Sequence, residues 1–287
     1  MPKPKKEKLL ADHTSLKIGG PVFCWTEPKD IDELLDSVSI ARSRKKSILI
    51  IGRGCNILAP DNGFDGVVIK LGPGFDYIER EGSEIVKLGA GSSIQDLVAR
   101  ASQWGLGGCE FLAGIPGSAG GAIFMNAGIR EKEIKDIILE VEALDMEEGS
   151  VMSLKRQEIY FGYRSSGLDG MCILGARIKL NKDKNSAVEK RIEDFIKRRE
   201  WMRGLGLPSA GSVFKNPNDK NPAGRLIEAC DLKGWRIGGA EISNAHANFI
   251  VNKGGASSKD VLGLIDLARK SVKEKFGIDL ELEIKII

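Results

Sequence analysis

The stretch GIPGSAGGAIFMNAG, residues 114–128, contains five glycines in fifteen positions. It does not end in the Gly-Lys-Ser/Thr of a Walker loop, and it lacks the G-x-G-x-x-G spacing of the dinucleotide fingerprint. Glycines clustered between apolar residues indicate turns that are held close to another group, where a side chain would not fit. We call residues 114–128 the glycine belt.

Two further glycine-rich turns lie upstream, each directly after a predicted strand. SILII runs into GRGCN (residues 52–56), and EIVKL runs into GAGSS (residues 89–93). Glycines let successive backbone N–H groups point into one concavity that suits an anion, and Arg53 and Asn56 add side-chain donors. Helix N-terminal amides after Gly121 would also face an anion. The pattern favours a large ligand with a pyrophosphate; three unrelated tight turns are the alternative.

The composition argues against several classes of protein. The 287 residues carry a net charge of +3, with acidic and basic residues mixed, which is not typical of a nucleic-acid or membrane-surface binder. No apolar run has the length of a membrane span. The five cysteines have no C-x-x-C spacing, and no ligand cluster surrounds the two histidines. We therefore expect reduced thiols, a cytoplasmic protein and no metal site.

Apolar periodicity predicts an α+β fold with a boundary in the polar stretch 181–186, giving one domain over residues 1–182 and a smaller one over 183–287. The predicted helices span 28–46, 93–104, 187–203, 222–229 (with Asn221 as its cap) and 258–276. The predicted strands span 47–51, 66–71, 84–88, 137–146, 151–154, 172–180, 246–251 and 278–287. In the last strand, apolar residues alternate with charged ones.

The motifs resemble those of a known family. GRGCNILAPD and FLAGIPGSAGGAIFMNAG resemble the FAD-binding domain of the vanillyl-alcohol oxidase and para-cresol methylhydroxylase type. Within that type the chain is similar to the UDP-N-acetylenolpyruvoylglucosamine reductase family. The further matches, in the expected order, are SLKIGGP, FGYRSS, AGSVFKNP, LKGWRIGGAEIS, HANFIVN and LEIKII. The chain has no room for an insertion between Arg164 and Ser212, and in this it resembles the shorter subtype of the family.

The resemblance implies both a fold and a reaction. The fold would be an FAD-binding domain of two α/β subdomains, followed by a smaller α+β substrate-binding domain. The reaction would reduce UDP-N-acetylglucosamine enolpyruvate to UDP-N-acetylmuramate in peptidoglycan synthesis, with non-covalent FAD and with NADPH as reductant. The partners would be these small molecules, with no nucleic acid and no membrane insertion, and the protein would be a monomer.

The residues that the resemblance assigns to FAD lie mostly in the three glycine-rich turns. Asn126 is expected to hold the turn or to contact a polar edge of the flavin. The full set is Gly52, Arg53, Gly54, Cys55, Asn56, Ile57, Gly89, Ala90, Gly114, Ile115, Pro116, Gly117, Ser118, Gly120, Gly121 and Asn126.

Three residues match catalytic positions of the family. Ser212 matches the proton donor, because a carbanion is basic enough to take the proton of a hydroxyl. Arg164 matches the arginine that stabilises the enolate-like intermediate, since a guanidinium fork suits a carboxylate. Glu283 matches a glutamate that helps to polarise the intermediate, although alternation alone would make it solvent-facing. The implied substrate-binding residues are Lys215, Asn216, His246, Lys285 and Arg199, the last for the UDP diphosphate.

Two departures and two alternatives accompany the resemblance. Cys55 stands where the family often has serine, a better donor, and Lys285 stands where arginine is common. An FAD-dependent oxidase of the same fold is one alternative, since such enzymes often tether the flavin through His or Cys, and both Cys109 and Cys55 lie near the belt. A binding or regulatory protein without turnover is the other, and the three matched catalytic positions argue against it.

Overall fold

The structure of the protein is a computed structural model that describes residues 8–199 and 206–287. The chain divides into two compact units built from interleaved segments. The central unit comprises Trp25–Arg53 and Gly66–Glu200, and the C-terminal unit comprises Met1–Cys24, Gly54–Asp65 and Trp201–Ile287. The last division falls after Glu200 and not after residue 182, because the intervening helix packs within the central unit.

The regular elements alternate between short helices and strands, which confirms the α+β class. The helices are α1 (Ile31–Ser43), α2 (Ile94–Gln103), α3 (Ala119–Phe124), α4 (Asn185–Arg198), α5 (Ala223–Ala229) and α6 (Ser258–Phe276). The strands are β1 (Val22–Thr26), β2 (Ser47–Ile50), β3 (Ile57–Leu58), β4 (Phe64–Ile69), β5 (Ile78–Glu81), β6 (Ile85–Gly89), β7 (Leu106–Gly107), β8 (Ile138–Asp145), β9 (Val151–Lys155), β10 (Met171–Lys179), β11 (Asn181–Lys182), β12 (Ser209–Ser212), β13 (Arg236–Ile237), β14 (Ala240–Ile242), β15 (Phe249–Asn252) and β16 (Lys285–Ile286).

The central unit is organised around a five-stranded antiparallel sheet in the order β5-β6-β10-β8-β9. Helix α3 packs against β6 and β10, and α2 packs against β7 and α4. Buried apolar side chains of α2, including Leu97 and Val98, join those of the sheet in one core cluster. A smaller sheet has the order β1-β4-β2, with β2 and β4 parallel. Strand β6 therefore ends in the second glycine-rich turn beside α3.

The C-terminal unit is built on a four-stranded sheet in the order β12-β15-β14-β13. Helix α6 packs on β13, β14 and α5, and its residues Val261, Leu264 and Ile265 are buried in the core of this unit. Ser257 accepts a hydrogen bond from the Asp260 N–H in a capping box, and Gly277 ends the helix with a φ of 70°. These two signals explain why α6 begins and ends where the sequence predicts.

Most predicted elements are confirmed with ends shifted by a few residues, and two expectations are wrong. Residues 278–287 are not one strand: only Lys285–Ile286 is a strand, paired in parallel with β3, and Leu282 forms an isolated bridge with Phe214. Asn221 does not cap α5; the Ala223 N–H bonds to Asn216 Oδ1 instead (3.0 Å). The part of the predicted helix 187–203 beyond residue 199 lies outside the described residues.

Among residues 8–199 and 206–287, no helix is both long enough and apolar enough to cross a membrane. Over the same residues, no group of three or more His, Cys, Asp or Glu side chains is placed to hold a metal ion.

Candidate active site

The second and third glycine-rich turns lie side by side in the central unit. Ser93 and Ser118 form an isolated antiparallel bridge, and Gly120 donates its N–H to Ala90 O (2.8 Å). The first turn joins them at Gly52, where an added Cβ would lie 2.3 Å from Ser118 Oγ. One ligand that contacts all three turns would require such proximity.

The amides at the start of α3 bond within the protein. Ala119 and Gly120 donate to carbonyls of the GAGSS turn (2.8 Å each), and Gly121 donates to Ser118 Oγ (3.3 Å). The sequence prediction expected the amides after Gly121 to face an anion, whereas the helix begins earlier, at Ala119. In the structure these three fasten the belt to the second turn and to its own cap, so they fix the shape of the surface.

The glycines of the belt differ in how much space the protein leaves for a side chain at each position. A Cβ on Gly120 would lie 2.8 Å from Ala90 Cβ, so packing within the protein requires this glycine. A Cβ on Gly121 would meet only Ser118 Oγ, at 3.4 Å, and Gly121 is exposed. A helical glycine costs about 1 kcal/mol relative to alanine. Gly121 therefore leaves bare backbone on an open face, which fits a flat cofactor lying against it.

The GRGCN turn ends in the C-terminal unit, where the N-terminal segment holds it. Gly54 has a φ of 62°, and a Cβ there would lie 2.1 Å from His13 O. Ser15 donates its N–H to Gly54 O (3.0 Å). The Ser15 hydroxyl lies 2.6 Å from Ser209 O and 3.2 Å from Gly54 O. The SLKIGGP motif thus links this turn to β12, the strand that ends at Ser212.

Asn126, at the end of the belt, is fully buried and bonds to protein groups. Its Nδ2 donates to Glu133 Oε2 (2.9 Å) and to Gly162 O (2.8 Å), and its Oδ1 accepts from the Lys135 N–H (3.3 Å). Its φ is 44°. Of the two roles expected for Asn126, these contacts favour holding the turn over contacting a flavin edge.

Arg164 lies at the corner of a tight turn closed by hydrogen bonds between Gly162 and Ser165. Its φ of 57° is unusual for a residue with a side chain, and such strain is often found at functional sites. Its side chain is 16% exposed, and Nη1 lies 3.6 Å from Glu133 Oε1. The guanidinium also lies over the Tyr163 ring, 4.8 Å from its centroid. The turn and these contacts fix the direction of the guanidinium.

Arg199 is partly buried against the start of the belt. Its guanidinium donates to Phe111 O (3.2 Å) and to Ala113 O. Burial lowers the pKa of Arg199, and the nearby positive charge of Arg164 lowers it further. Arg199, the residue expected to bind the diphosphate, therefore already donates to backbone carbonyls. It lies close enough to Arg164 for their charges to interact.

Ser212 and Glu283 are brought together by their main chains in the C-terminal unit. The Glu283 N–H donates to Val213 O (2.8 Å), one residue after Ser212. On the other side of Glu283, its carbonyl accepts from Asn56 Nδ2 (3.1 Å), and Asn56 O accepts from the Lys285 N–H (2.9 Å). Two expected catalytic residues and one turn expected to bind FAD thus share one hydrogen-bonded frame.

The expected substrate residues of this unit lie near that frame. Lys215 donates its N–H to Glu281 O (2.8 Å), and its Nζ lies 3.5 Å from Glu281 Oε2. Asn216 is exposed, with Oδ1 at the start of α5. His246 is half-buried, and its Nδ1 accepts from the Asn248 N–H (3.1 Å). Burial lowers the pKa of His246, and the positive charge of Lys233 lowers it further, so the imidazole is neutral near pH 7.

Of the two cysteines that the oxidase alternative offered as flavin tethers, Cys55 is partly exposed and Cys109 is 1% exposed. Burial raises the pKa of the Cys109 thiol to about 12. The thiolate is the reactive form of cysteine, so Cys109 does not suit a covalent link to a cofactor.

Three residues of the site carry contacts to which sequence reasoning gave no role. Ser15 and Asn248 lie inside the motifs SLKIGGP and HANFIVN, so the motifs contained them without indicating what they do. Glu133 stands in the charged run REKEIKD, where nothing distinguishes it from solvated neighbours. Only the fold shows that it bonds to Asn126 and lies beside Arg164.

Comparison with known proteins identifies the domains and the relatives of the chain. The family model for the C-terminal domain of UDP-N-acetylenolpyruvoylglucosamine reductase matches residues 203–287, and an FAD binding domain model matches residues 24–155. The UDP-N-acetylenolpyruvoylglucosamine reductase of Bacillus subtilis is 42% identical over 97% of this chain and 92% of its own. One from Clostridium botulinum is 38% identical over 97% of this chain and 91% of its own.

A solved structure extends the likeness to the whole fold. The crystal structure of the UDP-N-acetylenolpyruvylglucosamine reductase from Thermus caldophilus superposes with a TM-score of 0.84 and 36% identity, covering 98% of each chain. With these matches, the chain belongs to the UDP-N-acetylenolpyruvoylglucosamine reductase family and carries its FAD-binding domain and C-terminal domain.

Proposed function

We propose that this protein reduces UDP-N-acetylglucosamine enolpyruvate to UDP-N-acetylmuramate in peptidoglycan synthesis, with FAD as cofactor and NADPH as reductant. The observation that carries the proposal is the hydrogen bond from the Glu283 N–H to Val213 O (2.8 Å). This bond joins the backbone next to Ser212, the proposed proton donor, to the backbone of Glu283. Asn56, in the first glycine-rich turn, donates to the carbonyl of Glu283. Family membership supports the identity of the substrate.

The residues that would hold FAD are those of the three glycine-rich turns, residues 52–57, 89–90 and 114–121. The open backbone at Gly121 suits close contact with the cofactor. Non-covalently bound FAD would supply the hydride of the reaction. NADPH as the source of that hydride stays a prediction, as do a monomeric state and a cytoplasmic location.

The chemistry required of the protein is a proton and a preorganised charge. The enolpyruvyl double bond gains a hydride at its methylene carbon and a proton at the adjacent carbon, giving a lactyl ether. Ser212 would donate that proton from its hydroxyl. A general acid of this kind contributes typically about 10²–10⁴-fold in rate. The alkoxide left on Ser212 would regain its proton from water.

Arg164 would stabilise the negative charge that spreads onto the substrate carboxylate before protonation. The pairing of Glu133 with Lys135 matters here, because Glu133 Oε2 accepts from Lys135 Nζ. A carboxylate paired with Arg164 alone would neutralise the charge of the guanidinium. Shared with Lys135, Glu133 orients the guanidinium and leaves net positive charge in this cluster for the substrate. Glu283 would help to polarise the same intermediate.

Substrate recognition is assigned to Lys215, Asn216, His246, Lys285 and Arg199. His246 would offer its Nε2–H to the substrate as a hydrogen-bond donor, because its Nδ1 accepts from the Asn248 N–H (3.1 Å). Lys215 and Lys285 would supply charge for the diphosphate. Arg199 would contribute only the donors that its carbonyl partners leave available.

The deciding experiment is NADPH oxidation by the purified protein, with and without the enolpyruvyl substrate. We expect a yellow protein whose NADPH oxidation depends on that substrate and yields UDP-N-acetylmuramate. Ser212→Ala should abolish product formation and keep flavin reduction by NADPH. Consumption of oxygen that is independent of the substrate would favour the oxidase alternative, and a colourless protein that does not take up FAD would refute the flavin assignment.

A further inference from the structure

The backbone at Ser212 departs from regular sheet pairing. Strand β12 pairs with β15 at Ser209↔Val251 and at Ser212↔Phe249. Three residue steps on β12 thus face two on β15, which is a β-bulge, and Gly211 within it has a φ of 80°. A bulge turns the side chain beside it away from the direction that the sheet would give it. The direction of the Ser212 side chain therefore depends on the bulge, and regular sheet hydrogen bonds alone do not fix it.

One side chain supplies hydrogen bonds immediately after the bulge. Asn248 Oδ1 accepts from the Phe214 N–H (3.0 Å), and Asn248 Nδ2 donates to Phe214 O (2.8 Å). The main chain of Asn248 adds a third bond, since its carbonyl accepts from the Val213 N–H (2.8 Å). Asn248 is 4% exposed. A single buried residue thus bonds to each of the three peptide groups that follow Ser212.

Neighbouring contacts hold Asn248 and the opposite side of the same segment. The Asn248 N–H donates to His246 Nδ1 (3.1 Å). On the far side, Val213 O accepts from the Glu283 N–H (2.8 Å). The segment after Ser212 is therefore held between Asn248 and the backbone of the Glu283 segment.

The geometry points to Asn248 as a positioning residue that sets the direction of the Ser212 hydroxyl for proton donation. The inference rests on the proposed function, because it assumes that Ser212 is the donor. Asn248 does not contact substrate in this role; it acts through the backbone of Val213 and Phe214. A displacement of about 1 Å in a reacting group can cost about 100-fold in rate, so this clamp should matter for the protonation step alone.

The same strand provides a matched control. Asn252 is also buried (8% exposed) and also clamps backbone, with Nδ2 donating to Leu16 O (3.1 Å) and Oδ1 accepting from the Gly254 N–H (2.9 Å). None of these partners adjoins Ser212. Asn252→Leu therefore removes a buried amide of the same kind, with a comparable cost in stability and without loosening the segment at Ser212.

The test separates the two half-reactions by stopped-flow absorbance of the flavin. In Asn248→Leu we expect reduction by NADPH within about 2-fold of wild type and reoxidation by the enolpyruvyl substrate slower by 10-fold or more. Asn252→Leu should keep both rates. Asn248→Asp keeps the acceptor for the Phe214 N–H and loses the donor to Phe214 O, so it should fall between wild type and Asn248→Leu; it also serves if the leucine variant does not fold.

A second readout does not depend on turnover. Deuterium exchange of the peptide covering residues 209–216 should be faster in the Asn248 variants than in wild type or in Asn252→Leu. Equal effects of the Asn248 and Asn252 variants on both half-reactions and on exchange would overturn the inference. If wild-type protein is not reoxidised by the enolpyruvyl substrate, the proposed function fails instead, and the exchange result still decides whether Asn248 holds this segment.

Discussion

The substitution Gly121→Ala gives a direct test of whether the cofactor lies on the glycine belt. In the protein without FAD, the added Cβ would have only Ser118 Oγ nearby, at 3.4 Å, which is ordinary contact. Replacing a helical glycine with alanine is worth roughly 0.5–1 kcal/mol. For a unit of this size that corresponds to a rise in melting temperature of about 1–4 °C. We expect this rise when the FAD-free protein is heated.

With FAD the same methyl group should have the opposite effect. If the cofactor lies against the open backbone at Gly121, the methyl group would occupy space that the cofactor fills. Overpacking of about 1–3 kcal/mol would weaken FAD binding by about 5-fold or more. Titration of the FAD-free protein, followed by flavin fluorescence, measures this change. The stability gain should therefore vanish in the FAD-bound protein.

Gly120→Ala is the matched control, one residue earlier in the same helix. Its Cβ would lie 2.8 Å from Ala90 Cβ and 3.2 Å from Ala90 O, so overpacking of about 1–3 kcal/mol should destabilise the FAD-free protein. Wild-type FAD affinity in Gly121→Ala would refute the reasoning, because the open glycine would then have no cofactor against it.

Three further outcomes follow from other contacts. Glu133→Gln should slow reoxidation of the flavin by the enolpyruvyl substrate by about 10-fold with unchanged FAD content, since the carboxylate 3.6 Å from Arg164 Nη1 is lost; an unchanged stopped-flow rate would contradict this. A thiol reagent at pH 8 should label Cys109 only after unfolding, because burial raises the pKa of its thiol to about 12. Mass spectrometry that found the label on Cys109 in the native protein would contradict this prediction. The lowered pKa of His246 should reduce stability as pH falls below about 6.5, because the unfolded chain then binds the proton more readily; His246→Gln should flatten this part of a melting-temperature profile.

The sequence predicted those parts of the site whose signal is local. A strand followed by clustered glycines marks a tight turn wherever it occurs, and the proximity of the second and third turns follows once β6 and α3 pack together. The alternation in residues 278–287 puts five apolar residues on one face, of which Leu280 and Ile284 are buried and Ile286 is 46% exposed. It failed to predict the backbone, because these residues pair with two different partners, Phe214 and then β3, and form no continuous strand.

The remainder depends on contacts between distant parts of the chain. The charged run around Glu133 has the composition of a solvated loop, and its contacts with Asn126 and Arg164 come from residues outside the run. The left-handed backbone at Arg164 has no sequence signal either, because position 164 itself is neither glycine nor asparagine. Family resemblance supplied the identity of Arg164, and the fold supplies the reason for its orientation.

The bond between Asn56 and Glu283 spans 227 positions of sequence, and this separation has a consequence for synthesis of the protein. A chain made from its N-terminus exposes the GRGCN turn early and delivers residues 283–286 much later. Until then, β3 lacks its parallel partner and the Asn56 side chain lacks the carbonyl to which it donates. The turn expected to bind pyrophosphate and the segment that carries Glu283 therefore reach their final form in the same event. A ribosome-bound chain that stops short of residue 283 should bind FAD poorly, even though every glycine of the three turns has already been made.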